Sequence, residues 1–194
     1  AVDSYQELAA LASIVTRFIG EAGGTPAVPA LTPADFAALG LSGVTEANLA
    51  EVLAAIRASG ADGSGIDSLS EMRSIVDGAV AQSRLDAIDR ISRYDGTSAT
   101  VVPTFNDFAN AGVTGVTTNN LGSINTAFAE IGLSESNTTL EIQDIVSAYV
   151  AILNGADGVS DNDIVLTQAQ YVAMGLTRID TAAKSVLLNE IFDK

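Results

Sequence analysis

The chain repeats itself, and an internal repeat restricts the fold more than any composition does, because each copy must solve the same burial problem. Three segments align without a gap: Thr32–Ser59, Thr104–Ile131 and Thr167–Lys194, each 28 residues long. An aromatic falls at Phe36, Phe108 and Tyr171 and a glycine at Gly40, Gly112 and Gly175. Apolar residues follow at Leu41, Val113 and Leu176 and at Val44, Val116 and Ile179. A second repeated element precedes each segment, starting at Ser4, Ser68 and Thr138. The middle copy of that element is eight residues longer, since Glu71 to Gly96 spans 25 positions against 17 for Glu141 to Gly158. Eight residues are about two helical turns, so the middle helix is expected to be longer or broken.

The preceding element has helical periodicity. Ile142, Ile145, Val146, Tyr149, Ile152 and Leu153 recur at the spacing of one helix face, as do Leu8, Leu11, Val15, Phe18 and Ile19 in the first copy. Each copy opens with a capping-box pattern, Ser4/Glu7, Ser68/Glu71 and Thr138/Glu141, in which a hydroxyl and a carboxylate satisfy two orphan backbone N–H groups. Each ends in glycine, at Gly23–Gly24, Gly96 or Gly158, the residue suited to a left-handed C-cap.

The 28-residue segment reads as a short helix followed by a longer one. Thr32/Asp35, Thr104/Asp107 and Thr167/Gln170 signal its start, with Pro33 at a first helical position where its missing N–H costs nothing. Gly40, Gly112 and Gly175 are expected to stop the short helix, and Thr45, Thr117 and Asp180 to cap the next. The apolar face of that last helix is expected at Leu49, Val52, Leu53 and Ile56, then at Leu121, Ile124 and Phe128, then at Leu187, Leu188 and Ile191. Asn125 departs from the pattern, standing where the first copy has Leu53. The stretch Thr100–Phe105 contains Pro103 and reads as an extended linker.

The expected fold is therefore all-α, a bundle-like or solenoid-like tandem array of three-helix units with about nine helices. The units are 1–60, 61–133 with the eight-residue helix insertion, and 134–194. A unit of about 60 residues buries little surface alone, so neighbouring repeats of the chain are expected to share apolar contacts.

Composition narrows the chemistry. The chain has no His and no Cys, which removes His-based nucleophilic schemes, thiol catalysis, disulfides and zinc or iron–sulfur sites. A net charge of -15 disfavours nucleic acid, whose phosphates call for clustered Lys and Arg. No apolar run approaches the ~20 residues of a membrane span, and the first residues lack a signal-peptide pattern. Both ends look like cuts inside a longer chain. Oxygen ligands remain, and these suit calcium. The candidate metal ligands are Asp157, Asp161 and Asp163 in the loop Gly155–Asp163, although their spacing fails the EF-hand pattern and also fits a polar connecting loop. The loop Ala61–Asp67 has weaker ligand spacing. Otherwise no cofactor and no catalytic residue is expected.

Phe36, Phe108 and Tyr171 fit core anchors for the short helix better than the lining of a ligand groove. Arg84, Arg90 and Arg93 form the basic cluster, interleaved with Asp86, Asp89 and Asp95 in the pattern of helix-surface ion pairs.

The motif DFANAGVTGVTTNNLGSINTAFAEI, joined to TTLEIQDIVSAYVAILNGADG, resembles a repeat module of very large bacterial extracellular proteins. Such modules recur in tandem in giant surface or type I-secreted, adhesin-like proteins, often with haemolysin-type calcium-binding regions elsewhere. The resemblance covers essentially the whole chain and is clearest over residues 104–158. The third segment departs from it, reading GLTRID in place of GVTGVT, and no calcium-binding nonapeptide is present. The resemblance implies a non-catalytic spacer or adhesion segment at the bacterial cell surface or outside the cell. The alternative is a binding module that holds a peptide, glycan or host protein in grooves between helices.

Overall fold

The computed structural model describes residues 4–59, 66–131, 137–156, 159 and 164–193. Among these the fold is all-α, with helices α1 (Tyr5–Ala22), α2 (Pro33–Ala38), α3 (Leu49–Ala58), α4 (Leu69–Ser92), α5 (Phe105–Asn110), α6 (Leu121–Ile131), α7 (Thr139–Gly155), α8 (Gln168–Ala173) and α9 (Ala182–Phe192) and no strand. The described residues fall into two compact units, divided within α4 between Ser83 and Arg84. The boundaries drawn from the sequence at 60/61 and 133/134 lie outside the described residues.

The long helices start as their capping residues dictate. At Ser4 and Ser68 the hydroxyl accepts from the glutamate N–H, at 3.2 Å in both, while the carboxylate accepts from the serine N–H at 3.1 and 3.0 Å. At α7 the Thr138 hydroxyl accepts from the Glu141 N–H, but the Glu141 carboxylate takes the Asn137 N–H instead of Thr138's. The insertion lengthens α4 without breaking it: α4 has 24 residues against 18 in α1 and 17 in α7. Of the glycines expected at the ends of these helices, Gly158 lies outside the described residues.

The short helices α2, α5 and α8 share one construction. Thr32, Thr104 and Thr167 open each with a capping box to Asp35, Asp107 and Gln170. Each closes with two bonds that satisfy orphan carbonyls: Leu41, Val113 and Leu176 donate to Phe36, Phe108 and Tyr171, while Gly40, Gly112 and Gly175 donate to Ala37, Ala109 and Val172. This C-cap geometry needs a residue in the left-handed region, and the three glycines hold φ of +71°, +77° and +81°.

The next helices start later than the sequence pattern indicates. α3 begins after Asn48 and α6 after Asn120, not at Thr45 and Thr117. The asparagine side chain closes a turn in between. Asn48 accepts from the Thr45 N–H and donates to the Gly43 carbonyl, and Asn120 does the same to Thr117 and Gly115. The aligned third positions hold Ala183 and Arg178, so this turn cannot form. There Thr181, not Asp180, caps α9. The Arg178 carbonyl accepts instead from the Lys184 ammonium at 3.2 Å.

Three apolar clusters follow. The first unit buries Phe18, Phe36, Leu41, Val52 and Ile56 with Met72 and Val76 from the first half of α4. The second unit holds two clusters. One joins Ala87 and Ile91 of α4 to Phe108, Ile124, Phe128 and the first half of α7, Ile142, Ile145 and Val146. The other joins Ala148 to Ile164, Leu166 and Tyr171, with Leu188 and Phe192 partly buried against them. Full burial of such side chains contributes about 1.5–3 kcal/mol each. Asn125 is buried, its amide donating to the Pro103 carbonyl at 2.8 Å. A polar side chain at the Leu53 position thus secures the linker before α5.

The expected α9 face is buried only in part: Leu188 packs inward, but Leu187 and Ile191 are 56% and 52% exposed, and Ser185 and Phe192 turn inward in their place. The long-helix stripes are also buried only in part, since Leu8, Ile19 and Leu153 are exposed.

Candidate functional site

Asp157, Asp161 and Asp163, the candidate calcium ligands, lie outside the described residues, as does most of the Ala61–Asp67 loop. Among the described residues no group of three acidic side chains converges on a point that would hold a metal ion.

The recurring aromatics are core anchors. Phe36, Phe108 and Tyr171 are at most 1% exposed. Phe36 meets the edge of Phe18 at 5.6 Å, Phe108 packs on Phe128 at 5.7 Å and Tyr171 stacks on Phe192 at 6.4 Å. Burial raises the Tyr171 pKa, and its hydroxyl donates to Asn189 at 2.8 Å.

The basic cluster is satisfied internally. Arg93 pairs with Asp89 at 2.7 Å along α4, as the spacing indicates. Arg90 instead reaches the buried Asp107 of α5, and Arg84 donates to the Thr139 hydroxyl at 2.9 Å. Asp86, Asp89, Arg90 and Arg93 line a cleft of 410 Å³ whose charges balance. Beyond α4, the Thr100 and Thr97 hydroxyls hold Asp95 down at about 2.

A related pair, not read from the sequence, ties α1 to α2. Arg17 makes two bonds to Asp35, at 3.2 and 2.6 Å, and holds its carboxyl below the ordinary range. Arg90 and Asp107 repeat this arrangement between α4 and α5. The third copy carries neutral Gln170 at the cap position. The signal was present in the alignment as a charge conserved across two copies and lost in the third. Arg57 and the buried Glu21 form a further pair, with Glu21 also accepting from the Ala27 N–H at 2.8 Å.

What remains accessible is a set of grooves where helices meet. In the first unit Leu11, Val15, Ile19, Leu39, Leu69 and Met72 line a 650 Å³ groove between α1, the end of α2 and the start of α4. At its rim a hydrogen bond between Asp67 and Glu71 raises the former's pKa and lowers the latter's. In the second unit a 630 Å³ groove stands at the corresponding junction of α4, α5 and α7. It is more polar: Arg84 spans it, and Gln143 exchanges hydrogen bonds with the backbone of Thr114 at 2.8 and 3.2 Å. A third, of 520 Å³, lies among α6, α7 and the end of α8, lined by Ile131, Tyr149, Ile152 and Met174.

No known protein family matches the chain, and no curated protein or solved structure matches it. No helix among the described residues is long and apolar enough to cross a membrane.

Proposed function

We propose that the chain is a non-catalytic structural and interaction module of a large bacterial surface or secreted protein, a tandem array of three-helix units serving as a spacer or adhesion segment. The observation that carries this reading is the recurrence of one local construction at three aligned places: a capping box, a short helix around a buried aromatic, and a positive-φ glycine stop. Stacking like units is how repeat proteins bury a continuous core from pieces too small to be stable alone. The pairing of the cleft's Arg93 with Asp89 and of its Arg90 with the buried Asp107 also fits a structural role. Acidity favours solubility at high copy number.

The test is surface labelling. An antibody raised against this chain should label intact cells that express the parent protein. Labelling only after permeabilisation would overturn the surface assignment.

The grooves favour a second reading, a module that binds a peptide, glycan or host protein between helices. Corresponding grooves of 650 and 630 Å³ stand at two helix junctions, and the first has an apolar lining with Ile19 and Leu69 about half exposed. Substituting Leu69 with Glu would abolish such binding without altering the fold. Binding that persists in Leu69→Glu would exclude the groove as its site.

A further inference from the structure

One helix, α4, serves two cores. Its first half gives Met72 and Val76 to the apolar cluster of the first unit, with Val80 packed against them. Its second half gives Ala87 and Ile91 to a cluster of the second unit. Between Val80 and Ala87 the helix runs over Ala81, Gln82, Arg84, Leu85 and Asp86, all exposed. The division into two compact units falls in this stretch, between Ser83 and Arg84. The ion pairs divide there too. Arg17–Asp35 and Arg57–Glu21 belong to the first unit, and Arg90–Asp107, Arg93–Asp89 and Lys184–Asp180 to the second.

A helix draws most of its stability from packing an apolar face, and isolated segments shorter than about 12–15 residues are marginal in water. When the first cluster opens, Met72, Val76 and Val80 lose their cover and the first half of α4 melts with it. The second half keeps Ala87 and Ile91 in their own cluster, and Arg84 keeps its bond to the Thr139 hydroxyl at 2.9 Å. The reverse holds when the second unit opens. Gly78 weakens the first half further. It is exposed, and no described atom lies within 4 Å of where its Cβ would stand, so no packing calls for a glycine that destabilises a helix interior.

We propose that the middle of α4, from Ala81 to Asp86, is a yield point at which the two units uncouple, so that tension opens one unit while the other stays folded. Local packing sets such cooperative opening units. The proposal deepens the spacer reading and rests on it for its use: a tethered segment lengthens in two moderate steps instead of one large one. Released chain spans at most ~3.6 Å per residue, so Ala1–Ser83 yields roughly 300 Å and Arg84–Lys194 roughly 400 Å before the folded lengths are subtracted.

The experiment is single-molecule force spectroscopy of the full chain, held by handles at its two ends. The wild type should lengthen in two separate steps of about these sizes. Phe36→Ala, which opens a cavity in the first cluster, should speed the shorter step at fixed force about tenfold or more and leave the longer one unchanged. Phe108→Ala should do the reverse. Ile56→Val and Ile124→Val should give the same pattern at smaller amplitude, and they serve if the alanine variants do not fold. A single step of the combined length overturns the proposal. So do steps whose sizes place the boundary outside α4, or a Phe36→Ala change that speeds both steps equally. The spacer reading fails separately, through surface labelling, which the step pattern does not affect.

Discussion

α3 and α9 lie at aligned positions of two similar sequence segments and have opposite fates. Val52 and Ile56 of α3 are fully buried, while the aligned Leu187 and Ile191 of α9 are about half exposed. The residue types hardly differ. What differs is the surroundings: α1 and the first half of α4 contribute to the α3 cluster, whereas among the described residues the α9 cluster draws on α7, α8, α9 and the segments on either side of α8. An apolar stripe states which residues can be buried, and neighbouring elements decide which of them are.

The largest expected effects break this contrast at the core. Phe36→Ala should cost about 3–5 kcal/mol in chemical denaturation and Ile56→Ala about 2–5 kcal/mol, as cavity-forming changes in a packed cluster do. Ile191→Ala should cost no more than about 0.5 kcal/mol, as surface changes do. Equal losses at Ile56 and Ile191 would mean that α9 is packed like α3.

A smaller effect tests the cap pairs. Asp35→Asn should cost about 1–3 kcal/mol by weakening charge-assisted bonds from Arg17. Because Arg17 lowers the folded-state pKa of Asp35, its contribution is complete above the unfolded value of about 3.9. It is lost as pH falls through the folded value. Thermal melts below pH 4 should therefore separate wild type from Asp35→Asn progressively less. Gln170→Glu, at the cap without an arginine in the aligned sequence, should stay within about 0.5 kcal/mol.

The smallest effects concern the helix starts. Asn48→Ala removes the bond to the Gly43 carbonyl and should cost about 0.5–2 kcal/mol, the range for a lost cap. Lys184→Ala removes its third-copy counterpart, an exposed contact shared with Asp180, and should cost about 0–1 kcal/mol. Urea denaturation of the two variants side by side measures the difference.

Much of this was legible in the sequence because it is local. Hydroxyl–carboxylate spacing specifies capping boxes, and a glycine after an apolar residue specifies the stop, so all three short helices stand where the pattern puts them. The helices that follow were displaced because Thr45 and Thr117 look like caps, while the decisive bonds come from Asn48 and Asn120 to carbonyls five residues back. The exposure of Leu187 and Ile191 could not be read at all, because periodicity reports an apolar face and not its cover. Arg90 was expected to pair along its own helix, but α5 brings the buried Asp107 within reach. Asp157, Asp161 and Asp163 lie outside the described residues, so calcium binding there rests on the sequence alone.

The most direct test of the account is native-state hydrogen exchange. Amides opened only by global unfolding are the slowest, and those in weakly covered elements exchange sooner. The account predicts that the amides of Val52 and Ile56 in α3 exchange among the slowest in the chain, while those of Leu187 and Ile191 in α9 exchange much faster. Equal protection of the two helices would contradict it.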